Sequence, residues 1–142
     1  MGTRFLAAKE AGIAREWQCE ILHLGDGGLS TVRSTLCDRQ KETRGWPACY
    51  DGRAASNRGH EDEGDGMPDD RNAALYRRES KQGDAALGSN GRTVAYAGTG
   101  VGLIREVKPA ASIVEKMQSQ AKLTLKNAAE RFADVGSARV KL

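Results

Sequence analysis

The chain has 142 residues, with 22 Lys and Arg against 19 Asp and Glu, a formal charge of +3. One domain of ordinary size fits that length, whereas a complete (β/α)₈ barrel, which takes about 250 residues, does not. So even a charge balance does not point to a nucleic-acid binder, aromatics at 5% leave the core to Ala, Val, Leu and Ile, and no apolar run approaches the ~18 residues of a membrane helix.

Residues 5–24 read as a helix. Phe5, Leu6, Ala8, Ile13, Trp17, Ile21 and Leu24 recur mostly at three- to four-residue steps, and Gly25-Asp26-Gly27-Gly28 ends the run. Residues 30–37 alternate in part and are rich in β-branched side chains, which predicts a short strand. Gly45, Pro47, Asp51-Gly52 and Gly59 mark 43–59 as loop. The acidic stretch 60–70 reads as a solvated loop, since clustered carboxylates repel one another and resist burial. A short helix is expected over 70–82 with Asp70 as its N-cap, and 83–91 is again loop. The whole of 38–93 is thus expected to be loop-rich.

The last third differs. Gly98-Thr99-Gly100-Val101-Gly102 forms a glycine turn that brings the backbone close to a ligand or another strand. Pro109 sits where a first helical residue belongs. Ala110, Ile113, Val114, Met117, Ala121, Leu125, Ala128 and Phe132 then give a long amphipathic helix over 108–135, with Lys116, Lys122, Lys126 and Arg131 on its polar face.

Candidate chemistry is sparse. Glu61, Glu63, Asp65 and Gly66 fit part of a calcium loop, but Asn72 stands where the bidentate Glu belongs. The turn at 98–102 lacks the third glycine of a dinucleotide fingerprint, which would fall at Leu103. Cys19, Cys37 and Cys49 show no metal spacing, and His23 and His60 have no partner fixed by a local motif. No metal site and no catalytic residue is expected. No secretory signal is visible at the N-terminus, which makes a cytoplasmic address the expectation. Gly2-Thr3-Arg4 would let backbone N–H groups approach a phosphate.

Four blocks together resemble the C-terminal part of the nitronate monooxygenase family, formerly the 2-nitropropane dioxygenases. They are Met-Gly-Thr-Arg-Phe-Leu-Ala at 1–7 with Lys9-Glu10-Ala11; Asp26-Gly27-Gly28 with Ser30-Thr31-Val32-Arg33; Trp46-Pro47 with Tyr50-Asp51-Gly52-Arg53 and Asn57; and the run Tyr96 to Ala110. Their order is kept over nearly the whole chain. The resemblance implies an α/β fold, a C-terminal fragment of an FMN-binding TIM barrel holding the end of its last strand plus helices and loops. Alone, such a chain is mainly helix and loop. It implies an FMN-dependent oxidoreductase converting alkyl nitronates, with O₂, to carbonyl compounds and nitrite. Met1, Gly2 and Thr3 then hold the FMN phosphate through backbone amides. Thr99 replaces a Gln common in relatives. In the family the catalytic histidine and most flavin contacts lie upstream of the first block. His23 and His60 do not inherit that role, and the chain is expected to be an inactive fragment. Its implied partners are a small nitronate and O₂, with no nucleic acid, membrane or identifiable protein. The alternative is a small, non-catalytic helical interaction module.

Overall fold

The computed structural model describes residues 2–43, 45–47 and 49–138; the side chains of 84, 85 and 134–138 are left aside. Two units emerge, Met1–Val107 and Lys108–Leu142. The first runs α1 (Gly2–Leu6), α2 (Arg15–His23), β1 (Thr31–Ser34), α3 (Leu36–Gln40), β2 (Gly52–Ala55), α4 (Arg58–Gly64) and α5 (Asp69–Glu79). Two 3₁₀ segments follow, Ser80–Ala86 and Thr99–Leu103. The second unit holds α6 (Ala110–Ala138).

Residues 5–24 do not form one helix. The chain turns between α1 and α2, and the Gln18 side chain holds the turn by donating to the carbonyls of Leu6 (3.0 Å) and Ala8 (2.8 Å). Met1 lies outside the described residues, and the Gly2-Thr3-Arg4 part of the first block lies in α1. The strand expected over 30–37 is confined to β1, because the Ser34 hydroxyl accepts from Leu36 N (2.9 Å) and starts α3.

β1 and β2 pair antiparallel, with Thr31 opposite Ala55 and Ser34 opposite Gly52. β2 falls inside the expected loop 43–59. Its sequence, Gly-Arg-Ala-Ala, has little strand propensity. It is a strand because both edges are bonded: to β1 on one side, and on the other through Ala55 N to Ala95 O (2.9 Å) and Ala97 N to Arg53 O (3.2 Å).

The acidic stretch is also ordered, as α4. The Asn57 side chain caps it, accepting from Gly59 N (3.0 Å) and His60 N (3.3 Å). Its charge is balanced from elsewhere in the chain, since Arg92 pairs with Asp62 and Arg39 with Glu63. Glu61, Glu63 and Asp65 therefore lie along a helix and just past it rather than around an ion. α5 starts at Asp69 after Pro68, with no side-chain cap, so Asp70 is a first-turn residue and not the N-cap. Its charge still suits a helix N-terminus there. The stretch 38–93 thus carries the end of α3, β2, α4 and α5.

The core of the first unit is built from small residues. Ala7, Ile21, Leu24, Ala55, Ala95, Ala97, Val101 and Ile104 form one buried cluster, against which Trp17 and Leu22 pack. A second gathers Cys37, Ala54 and Val94, with Tyr76 and Tyr96 at its edge. A polar bridge joins α3, α4, α5 and the later loop. Buried Asn72 accepts from Gln40 Nε2 (3.0 Å) and Arg92 Nη1 (3.0 Å), and donates to Gly59 O (2.8 Å). In the second unit, Pro109 stands one residue before α6, its carbonyl accepting from Ile113 N (3.2 Å). Leu123, Leu125 and Phe132 are exposed along that helix.

Candidate functional site

The first, second and fourth sequence blocks meet in space. The Asp26-Gly27-Gly28 turn is closed by the Asp26 carboxylate, which accepts from Gly28 N (2.7 Å). The hydroxyls of Ser30 and Thr31 donate back to the carbonyls of Asp26 and Gly27. This turn lies flat against the glycine turn at 98–102. A Cβ at Gly27 would stand 2.0 Å from the Thr99 carbonyl oxygen, and one at Gly102 would stand 2.5 Å from that of Gly25. Only glycine permits two backbones to approach so closely.

Thr3 joins the same place from α1. Its Oγ1 accepts from Gly98 N at 2.9 Å, across 95 residues of sequence. Arg4 Nη1 donates to Glu106 O (2.8 Å) just beyond the turn. The glycine turn is therefore brought against another part of the same chain. Of the residues expected to hold a phosphate, Gly2 is exposed, with nothing within 4 Å of where a Cβ would stand. Thr3 is half-buried and its hydroxyl lone pair is engaged by Gly98. The amides at a helix start lack intrahelical acceptors. At Gly2, the first residue of α1, the space beyond the backbone is open.

A separate cluster was not legible from spacing. His60 Nδ1 lies 2.9 Å from Asn57 Oδ1 and its Nε2 lies 3.9 Å from Cys37 Sγ. Asn57 Oδ1 already accepts two backbone N–H groups, so Nδ1 carries the proton and Nε2 accepts from the Cys37 thiol. Burial pushes that thiol up to about 11, against the opposing pull of Lys41. Burial also lowers the His60 pKa, opposed by the nearby Glu63 carboxylate. A buried thiol kept protonated is a structural donor and not a nucleophile. His23 is exposed at the end of α2. Among the described residues no group of three or more His, Cys, Asp or Glu is placed to hold a metal ion, and no helix is long and apolar enough to cross a membrane.

No protein-family model matches the chain. By sequence it is 41% identical over 125 residues to the nitronate monooxygenase npaC of Metarhizium robertsii, covering 88% of this chain and 35% of that protein. It is 36% identical over 126 residues to a nitronate monooxygenase of Neurospora crassa, covering 89% of this chain and 32% of that one. The chain therefore spans about a third of the length of the curated relatives it matches. By structure it is similar to FabK from Thermotoga maritima, with a TM-score of 0.64 at 19% identity, over 92% of this chain and 38% of that one. That likeness is one of fold alone. The chain has the fold of part of a larger TIM-barrel protein, and its own elements are mainly helices and loops around a two-stranded sheet.

Proposed function

The chain belongs to the nitronate monooxygenase family by sequence, and from that premise we propose that it supplies the phosphate end of a flavin site for the FMN-dependent oxidation of alkyl nitronates by O₂ to carbonyl compounds and nitrite. The observation that carries the reading is the bond from Gly98 N to Thr3 Oγ1. It joins the first and fourth blocks, the two on which the sequence resemblance chiefly rests.

The chain's own part is binding. Gly2 and Thr3, with Met1 beside them in sequence, offer backbone N–H donors to the FMN phosphate. Gly98 fixes the Thr3 side chain, and the close contact of Gly27 with Thr99 fixes the turn that carries Gly98. FMN, when bound, supplies the electron-accepting ring. Orienting that ring takes walls from several barrel strands. The described residues offer a two-stranded sheet, so this chain alone does not turn over nitronate. A cytosolic address accompanies the reading, since Cys19, Cys37 and Cys49 are all free thiols.

Purified chain incubated with FMN and then desalted tests this. Flavin absorbance and nitrite released from propyl-2-nitronate are the readouts. The expected result is neither retained stoichiometric flavin nor turnover. Retained flavin with nitrite release would show that the chain is catalytic by itself. A second reading, a helical interaction module, draws on the exposed Leu123, Leu125 and Phe132 of α6. It requires self-association or a partner, and a monomer by sedimentation at high micromolar concentration with no bound protein removes it.

A further inference from the structure

The third sequence block, Trp46-Pro47 with Tyr50-Asp51-Gly52-Arg53 and Asn57, takes no part in the flavin reading. Trp46, Tyr50 and Asp51 line a cavity of about 520 Å³ with Asp38, Lys41 and Tyr96. That volume suits a small organic molecule.

The aromatic rings divide into two kinds. Tyr96 is already engaged on the protein's own side, since Lys41 Nζ sits 4.6 Å above its ring and Gly52 passes so close that a Cβ there would stand 3.1 Å from its Cε1. Trp46 and Tyr50 are 65% and 60% exposed, large fractions for such rings. Their centroids are 6.5 Å apart and their planes meet at 55°, so the two rings form a tilted contact pair whose outer faces stay exposed.

The charges divide too. Asp51 is paired with Arg33 (2.7 Å to Nε). Nearby Glu42 is paired with Arg77 at 3.2 Å, and Arg39 with Glu63 and Asp69. Among the described residues, the cavity's Asp38 and Lys41 have no ion-pair partner. They stand three positions apart, so they leave the end of α3 on one face. One carboxylate without an ion-pair partner, and one ammonium seated on the Tyr96 ring, thus stand beside one exposed aromatic pair.

We propose that this cavity binds a small zwitterion bearing a flat aromatic ring, of the class of a free aromatic amino acid. The ligand ammonium lies on Asp38, its carboxylate on Lys41, and its ring on the exposed faces of Trp46 and Tyr50. Neither single-charge ligand uses both groups: an aromatic anion leaves Asp38 repelling it, and an aromatic cation leaves Lys41 doing so. The inference is independent of the flavin reading.

Titration calorimetry at low salt tests it with L-phenylalanine, 3-phenylpropionate and phenethylamine. Phenylalanine should bind about two- to fivefold more tightly than either single-charge probe, the gap that one exposed ion pair supplies. K41M should remove its advantage over phenethylamine, and D38N its advantage over 3-phenylpropionate, with circular dichroism unchanged. W46A should weaken all three. Equal affinity for the three probes, a preference for a single-charge probe, or no binding at 10 mM overturns the proposal.

Discussion

Replacing Gly27 by alanine should unseat the junction on which the flavin reading rests. The new methyl would stand 2.0 Å from the Thr99 carbonyl oxygen, 2.5 Å from its carbonyl carbon and 2.8 Å from its Cα. All three are backbone atoms, so no side chain can swing aside. The turns at 25–28 and 98–102 must part by more than an ångström, and Gly102 against Gly25 must part with them. Overpacking of this kind costs about 1–3 kcal/mol. A loss of about 2 kcal/mol, at a urea slope of about 1.5 kcal/mol/M, lowers the unfolding midpoint by roughly 1.3 M. Thr3→Val removes the acceptor of Gly98 N with little change of shape, and should cost about 1 kcal/mol. Because both changes act on one turn, the double variant should lose less than the two singles together. Urea unfolding followed by far-ultraviolet circular dichroism measures all three. A G27A midpoint matching that of the unmodified chain, or strict additivity with T3V, would refute the account of the junction.

Other outcomes follow from the polar interior. Arg92 is 3% exposed and bridges Asp62, Glu79 and Asn72. Arg92→Leu leaves the partly buried Asp62 without its partner and Glu79 with Arg78 alone, and should cost about 3 kcal/mol by urea unfolding. Asn57→Ala removes the α4 cap and should cost about 1 kcal/mol, with loss of amide-exchange protection at Gly59 and His60. The lowered His60 pKa means that below about 6.5 the unfolded chain binds a proton that the native one refuses. Stability should therefore be level above that pH, as far as His60 decides it, and fall as pH drops toward the lowered native value. His60→Gln should flatten that slope in unfolding curves between pH 7 and 5. Cys19 and Cys49 are exposed while Cys37 is buried with its thiol near 11. At pH 8 a maleimide should label two thiols rapidly and the third only on unfolding.

Patterns within a few residues made the junction legible in part. The two glycine turns were visible as turns, and the long apolar period over 110–132 is continued by α6. That Gly27 rests on Thr99, and Thr3 on Gly98, was not visible, because both contacts join residues more than seventy positions apart. The misread stretches share a cause. α4 was hidden by its own acidity, whose neutralisation by Arg39 and Arg92 comes from other elements. β2 was hidden by a sequence of Gly, Arg and Ala that earns strand geometry only from its two neighbours. The break between α1 and α2 was hidden because the decisive group is the Gln18 amide reaching back to Leu6 and Ala8. Propensity and period describe what a segment offers, and these segments were decided by what reached them.

On the proposed reading, Gly2 and Thr3 sit at the phosphate end of a flavin site. Amide resonances of the isotope-labelled chain, followed during titration with FMN and separately with riboflavin, test it most directly. FMN should shift Gly2, Thr3 and Gly98, and riboflavin, which lacks the phosphate, should leave them in place. Equal shifts with both, or none at Gly2 and Thr3 with millimolar FMN, would contradict it.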